Sequence, residues 1–554
     1  MLRVMDNFRK PKRVNNFSNT DGIIRGRMRR TIGVKPVDIS PLSENSQSNS
    51  SESRFGNFSR KEGFITRKTK TISPDGRSLG RKPAKAIKQF DMEIKEEPKK
   101  RKFKKQGKKN KKKLILRSAA TVFLFFIVVG GYLGVKGYLS ARSVFKGGGD
   151  SVAWRCEPNP SILQKEGDGR VNFLLLGKGG PEQTDGPDLT DTIIVASVDP
   201  CNKDAGLLSI PRDLAVKMES GETQKINAVY ALTKMSAESK GKSKEEAEKA
   251  GIDAIENVVE NVVGIKMNYY TMIDFEAFEQ AINTVGGIDI NVKEPVSETL
   301  WLDGKNYKLH VTPGEQHFDG LKALAYSRCR HCDNKNDFGR SERQREVIIA
   351  LRKKIISMGT FGNPVKMSQL MGSFGSRVTT NLNVPDEALK LYKIGQEIDE
   401  SNIRSVSLVD EPNVLIKSGS GSLGLGSIQI PSAGIYKYDE IKKFVSSTFV
   451  DGFIKKENAG VMVLNGTSSS GLATTKADVL KSYGYNVLQV GDAPDKSTTN
   501  TIVVDLKKKD TKYTKRYLEL RYKTAVVTDL PDGITVPENA DFVIILGRNE
   551  TSNR

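Results

Sequence analysis

Gly320–Gln344 reads GLKALAYSRCRHCDNKNDFGRSERQ, and the rest of the chain is best understood outward from it. Leu321, Leu324 and Ala325 recur at the spacing of one helix face. Arg328, Arg330, Arg340 and Arg343 follow, with Asp337 and Gln344 among them and Arg345 just beyond. Val347–Leu351, trailed by Lys353 and Lys354, predicts a second, longer helix. Arginines around a connection between two packed elements suit a multiply charged anion, because guanidinium forks grip phosphate or carboxylate oxygens through paired hydrogen bonds. The plainer alternative is a solvated basic helix face. Arg328 and Arg330 alternate with Cys329, an extended rather than helical spacing, and buried-type residues flank the window on both sides. Both features favour the anion site.

Charge is distributed very unevenly. The 554 residues carry 88 Lys and Arg against 66 Asp and Glu, but residues 1–117 alone hold 34 and 11. That segment is therefore +23, and the remaining residues, with 54 and 55, are close to neutral. A tail of this charge is the footprint of nucleic acid or of an acidic membrane surface. Residues 1–113 are rich in Ser, Asn, Lys and Arg without an apolar period, which predicts a disordered basic tail. It ends in KKRKFKKQGKKNKKK at Lys99–Lys113.

An apolar stretch follows directly. Ser118–Val135 is an uncharged run of 18 residues, and the leucines ahead of Arg117 extend it. A helix of that length covers about 27 Å, close to the hydrocarbon thickness of a bilayer. The span predicts one transmembrane helix over residues 114–138. The basic block before it places the N-terminus in the cytoplasm and everything after about Ser140 outside. This topology makes the tail a membrane-side anchor, and no helix-turn-helix or aromatic pattern accompanies it to specify nucleic acid.

Beyond a linker at 139–164, strand and helix signals alternate. Val171–Leu176, Ile193–Val198, Ala205–Ile210 and Ile288–Val292 predict strands; Lys244–Val263 and Phe275–Val285 predict helices. The fold class is α/β: a catalytic domain with a central sheet over 165–455, then a smaller α/β domain over 459–549. Four cysteines, Cys156, Cys201, Cys329 and Cys332, allow three pairings, among which the sequence does not choose. Outside the cytoplasm, Cys329–Cys332 and Cys156–Cys201 are the plainer disulfides. A zinc site on Cys329-Arg-His-Cys332 lacks a second ligand pair at suitable spacing.

Residues 165–355 resemble the LytR-CpsA-Psr family. The matching segments are LTDTIIV at Leu189–Val195, IPRD at Ile210–Asp213, KINAVY at Lys225–Tyr230, VGGIDINV at Val285–Val292 and the Gly320–Gln344 window, in the family's order. VLNGT and VIILG mark the ends of a LytR-type C-terminal domain. The resemblance implies a membrane-anchored phosphotransferase that moves a glycopolymer from a polyprenyl pyrophosphate carrier to peptidoglycan. It implies that Arg328 and Arg330 bind the pyrophosphate, that Arg212, Arg340 and Gln344 complete its cage, and that Asp337 orients the arginines. Asp191 would hold Mg²⁺ (or Mn²⁺) or position the acceptor. Phosphoryl transfer asks for positioning and charge neutralisation, which such residues supply. The family's L-G-x-D pattern is broken here, where Leu176-Gly177-Lys178-Gly179 puts glycine in the aspartate's place. Asp185 or Asp188 is the expected substitute carboxylate, or Lys178 takes a phosphate contact.

The competing readings are a catalytically impaired scaffold that binds the lipid-linked glycan, suggested by Gly179, and a transcriptional attenuator acting through the tail. A Ser-His-Asp hydrolase is disfavoured: none of His310, His317 and His331 accompanies a Gly-x-Ser-x-Gly elbow. No catalytic motif falls beyond residue 459, so the core reaction is expected to survive removal of residues 459–554.

Overall fold

The computed structural model describes residues 146–551 other than 182, 184–185, 303, 334–335, 358–376, 384–385, 410–412 and 420–423, with side chains except at 336 and 337. The basic tail, the apolar span within 114–138, Asp185 and the Asp337 side chain all lie outside the described residues. Among those residues no helix is long and apolar enough to cross a membrane.

Three consecutive strands form the centre: β1 (Val171–Lys178), β2 (Thr190–Asp199) and β3 (Asp204–Ser209), paired antiparallel in order. β4 (Ala215–Lys217) and β5 (Thr223–Lys225) make a small hairpin, and β6 (Tyr269–Asp274) returns parallel to β1. β7 (Ile288–Val292), β8 (Val296–Leu302), β9 (Lys305–Val311) and β10 (Gly314–Phe318) form two two-stranded sheets, β7 with β10 and β8 with β9. β11 (Val378–Thr380) and β12 (Ile403–Ser407) close the main sheet, whose order is β11-β6-β1-β2-β3-β12. β13 (Ile416–Gly419) pairs with β14 (Ile428–Pro431).

The apolar run of β1 is buried on both faces, as a central strand requires. Leu174 and Leu176 join Ile193, Val195 and Leu208 under the helices Lys244–Val263 and Asp439–Thr448. Val171 and Phe173 point the other way, into a cluster with Val198, Tyr269, Leu382 and Ile398. The longer of those helices is bounded as its sequence dictates. Ser243 and Glu246 form a reciprocal capping box at its start, and Gly264, at φ +77°, ends it in the left-handed conformation. Within the helix, Glu256 faces Glu260 and Asp253; burial, then those two carboxylates, pushes its carboxyl up to about 7.

The second domain carries β15 (Gly460–Asn465), β16 (Asn486–Asp492), β17 (Ile502–Asp505) and β18 (Phe542–Leu546) in the order β16-β15-β18-β17. The helices Leu472–Ser482 and Lys512–Tyr522 cover it. Its core extends past its own boundary. Leu163, Phe453 and Ile454 are buried in one cluster with Val461, Leu480, Tyr517 and Phe542. The stretch read as a linker thus contributes Leu163 and two short 3₁₀ turns, Val152–Trp154 and Pro160–Ile162, to packed structure.

Asp451 closes this junction. It is 3 % exposed, and its carboxylate accepts from the Gly167 and Gly169 N–H groups at 2.8 and 2.9 Å, from Tyr517 Oη–H at 2.9 Å, and from the Phe453 and Ile454 N–H groups. Glu166 accepts from Tyr485 Oη–H at 3.0 Å and from Arg521 Nε–H at 2.6 Å. Removing residues 459–554 would therefore uncover a shared core, not just cut a tether.

Two expectations follow. Asp451→Ala leaves several donors without an acceptor and should lower unfolding stability by about 3 kcal/mol or more, read by urea titration. For Glu256 the folded carboxyl lies above its ordinary 4.5. Its share of stability is complete below that value and is lost as pH rises through about 7. Glu256→Gln should therefore melt with the wild type near pH 4 and above it near pH 9; equal melting at both ends would contradict the burial argument.

Candidate active site

The antiparallel register of β2 and β3 sets Asp191, at the start of β2, against the turn after β3 that carries Arg212. Ile210 N–H donates to the Ile193 carbonyl at 2.9 Å, which carries the pairing into the Ile210–Asp213 segment. Arg212 Nη1 donates to Asp191 Oδ2 at 2.8 Å. Asn227, in the turn after β5, donates through Nδ2 to Asp191 Oδ1 at 2.9 Å. Its own N–H donates to the Arg212 carbonyl, so three segments converge on one carboxylate. Asp191 remains about one-third exposed, at 34 %.

The arginine window is mostly helical. A single helix, Asn336–Ser357, begins ahead of Val347, so Arg340, Arg343, Gln344 and Arg345 belong to it and not to a connecting loop. Arg328 closes the preceding helix, Gly320–Arg328, so the spacing read as extended begins inside a helix, and the chain leaves the helical conformation only at Cys329. Gln344 joins the halves: its Nε2 donates to Thr192 Oγ1 at 2.9 Å and to the Ser327 carbonyl at 3.3 Å. The first bond reaches the neighbour of Asp191, the second the neighbour of Arg328. Opposite Thr192 on β1 is Gly177, where a Cβ would come within 2.9 Å of the Thr192 Cβ. Glycine is needed there for closeness, not for backbone freedom.

The cage residues fall into two sets. Arg212 and Arg340 line one small cleft with Pro211, Asp213, Phe338, Ser341 and Gln429. The Arg328 guanidinium lies 4.3 Å from the Phe275 ring centroid, which fixes its plane. Arg330 is held from behind, its N–H donating to Glu298 Oε2 at 2.8 Å, and the His331 N–H reaches the same oxygen at 3.2 Å. Arg343 and Arg345 are structural. Arg343 is 4 % exposed, pairs with Asp333 and donates to the Tyr326 and Cys329 carbonyls. Arg345, equally buried, binds Ser209 and Ser405 hydroxyls.

Both disulfides form as paired above, Cys156–Cys201 and Cys329–Cys332. Glu298, Cys329 and Cys332 form a close group of potential metal ligands among the described residues, but the two sulfurs are bonded to each other. Near Gly179 the substitute carboxylate is committed elsewhere. Asp188 accepts from Lys178 Nζ at 2.8 Å and from Lys234 Nζ at 2.7 Å. Burial works to raise its carboxyl, and the two ammonium groups outweigh it and hold it below the usual carboxylate range. Lys178 also sits 5.5 Å from the Tyr230 ring centroid. For a divalent cation, Asp191 fits as a single carboxylate anchor. It has lone pairs beyond its two hydrogen bonds, and Mg²⁺ commonly takes one or two carboxylates plus substrate phosphates.

Residues 149–423 match the LytR_cpsA_psr family, and residues 458–549 match the LytR cell envelope-related transcriptional attenuator. The chain belongs to the LytR_cpsA_psr family. The polyisoprenyl-teichoic acid–peptidoglycan teichoic acid transferase TagV of Bacillus subtilis is 33 % identical over 232 residues, 40 % of this chain and 54 % of TagV. The regulatory protein MsrR of Staphylococcus aureus (strain COL) is 29 % identical over 224 residues, 40 % of this chain and 59 % of MsrR. The chain thus spans between half and two-thirds of the length of these relatives. The crystal structure of B. subtilis TagV aligns with a TM-score of 0.39 at 26 % identity, covering 52 % of this chain and 98 % of that one.

Within this family member, sequence reasoning passed over Asn227, Lys234 and Glu298. Asn227 was legible in KINAVY. Glu298 lies in a hairpin announced by Asp303-Gly304 between alternating apolar residues. Glu298→Ala removes the acceptor from two backbone amides. Hydrogen exchange at Arg330 and His331 should accelerate by about tenfold, the equivalent of one lost hydrogen bond, with the Ala323–Tyr326 amides unchanged.

Proposed function

We propose that this chain is a membrane-anchored phosphotransferase, with its N-terminus cytoplasmic and its site outside, that transfers a glycopolymer from a polyprenyl pyrophosphate carrier to a peptidoglycan hydroxyl. The observation that carries the reading is the Gln344 bridge. It brings the Asp191–Arg212–Asn227 cluster and the Arg328 end of the neighbouring helix to one place. A carboxylate paired with a guanidinium, next to a helix that ends in an arginine, supports this reading, because an anionic donor and a hydroxyl acceptor need that combination.

In this mechanism Arg328 and Arg330 bind the pyrophosphate, and Arg212 and Arg340 neutralise its remaining oxygens. Asp337 is assigned to orienting the arginines. Asp191 accepts a hydrogen bond from the acceptor hydroxyl. The hydroxyl oxygen attacks the phosphorus next to the sugar, the bridging P–O bond breaks, and polyprenyl phosphate leaves. The hydroxyl proton passes to solvent beside Asp191. Mg²⁺ or Mn²⁺ bound by Asp191 and phosphate oxygens would supply further neutralisation. Lys178, tied to Asp188, is assigned to holding the loop before β2 and, through its charge, to the outer edge of the phosphate site. The basic tail lies against anionic headgroups and reads no nucleic acid sequence. TagV is named as a polyisoprenyl-teichoic acid–peptidoglycan teichoic acid transferase, which supports the reading, whereas MsrR is named as a regulatory protein.

A second reading, a scaffold that binds the lipid-linked glycan without turnover, rests on Gly179 and on the engagement of Asp188 by two lysines. The two separate in one assay on the full chain, following polyprenyl phosphate release with and without Mg²⁺. Arg328→Ala and Arg330→Ala should each cut turnover by about 100-fold or more while leaving the circular dichroism unchanged. Metal- and acceptor-replete protein that binds the donor yet releases nothing would establish the scaffold instead.

A further inference from the structure

The β8–β9 hairpin carries a feature that the chemistry above does not use. Its register, Val296↔Val311 to Leu302↔Lys305, divides it into two faces. Val296, Leu302, Leu309 and Val311 are buried on the inner one. On the outer one Trp301 is 63 % exposed, opposite Asn306, with Lys308 exposed alongside; Lys305, opposite Leu302, is exposed at the turn on the other face. Among the described residues it is the most exposed large hydrophobic side chain. The chain's other tryptophan, Trp154, is packed and donates its indole N–H to Tyr269 Oη at 2.8 Å. A tryptophan left in water at a hairpin tip forgoes the burial free energy of its large apolar surface.

We infer that the tip of the β8–β9 hairpin is a membrane-contact element, with Trp301 seated in the headgroup layer of the phospholipid bilayer. Three observations favour a bilayer over another occupant. An indole with one lysine beside it on its face and a second at the turn has the amphipathic character of an interfacial anchor, the ring at the headgroup level and the ammonium groups on lipid phosphates. One aromatic on a narrow hairpin falls far short of the roughly 800 Å² per partner that a stable protein interface buries. Lastly, Lys146 is only eleven residues beyond the apolar span ending at Val135. An extended chain of that length reaches about 40 Å, so Lys146, where the described residues begin, is held within that distance of the predicted span.

The contact bears on the site. Glu298, on the inner face of the same hairpin, receives the Arg330 and His331 N–H groups, so β8 is joined directly to the segment bearing Arg330. Seating Trp301 would thus set the height of Arg330 above the membrane, where a lipid-borne pyrophosphate waits. This part rests on the proposed function; the membrane contact itself rests on the predicted anchor and the hairpin.

The test uses the full chain in nanodiscs of phosphatidylcholine and phosphatidylglycerol, with ordinary or brominated acyl chains. Trp154→Phe leaves Trp301 as the reporter. Trp301 should emit to the blue of water-exposed indole, resist acrylamide and lose most of its emission to brominated lipid. Wild type compared with Trp301→Phe gives the same readout should Trp154→Phe fail to fold. Emission that acrylamide quenches and bromine does not would overturn the proposal, as would acrylamide protection without bromine quenching, which marks a protein partner. Turnover supplies the second arm. Trp301→Ala should lower donor use in the bilayer several-fold and leave use of a short-chain, water-soluble donor unchanged; equal loss on both would overturn the link to Arg330. If the wild type turns over neither donor, the transferase reading fails while the fluorescence still decides the contact.

Discussion

Antiparallel pairing of β2 with β3 governs where the site can exist. Side chains alternate along a strand, so a slip of one residue would send Asp191 to the opposite face from Arg212 and dismantle the carboxylate–guanidinium contact. The register is held by burial on both sides, because Ile193 and Val195 enter one core while Val198 enters the other. Helix Asn336–Ser357 is then referenced to β2 through the Gln344–Thr192 bond, and the small side of Gly177 leaves that approach open. Positional accuracy at the cleft is thus inherited from the sheet and passed outward through one amide group.

The site balances charge internally. Asp191 faces Arg212, Asp188 faces Lys178 and Lys234, and Asp213 faces Lys225 at 2.8 Å. A basic cleft without such counterions would repel itself and bind anions indiscriminately. With Asp191 in place the Arg212 guanidinium is already oriented, so an anion binding there would require less ordering. Arg343 and Arg345 are set apart by their partners and not by burial, since Arg340 is also buried, at 7 % exposed. Both are fixed to carbonyl or hydroxyl oxygens inside the protein and serve the helix, not the ligand.

Much of this was legible from the chain. The strands β1, β2, β3 and β7 and the helix Lys244–Val263 follow from apolar runs and periodicity. Asp191, Arg212 and Gln344 were singled out by motif, and the structure brings Asp191 and Arg212 into contact. The β8–β9 hairpin was not read, although Asp303-Gly304 signals it, because its lysines and glutamate masked a modest alternation. The helical placement of Arg340 and Gln344 was missed because a stretch so rich in charge shows little amphipathic period. Lys234 carries no local signature of its role, since it acts on a carboxylate dozens of residues away in sequence. Nor does any local pattern announce that Leu163 belongs to the core of a domain that begins three hundred residues later.

That last placement governs the order in which the chain can be completed. Leu163 is made about three hundred residues or more before its partners Val461, Leu480, Tyr517 and Phe542. Asp451 likewise gathers Gly167 and Gly169 from one end and Tyr517 from the other. Closing such distant contacts is slow, because the loop entropy is spent before the contacts reward it. The first strand's entrance therefore stays unsealed until the second domain has been delivered, and a chain interrupted before Tyr517 would be left with that seam open.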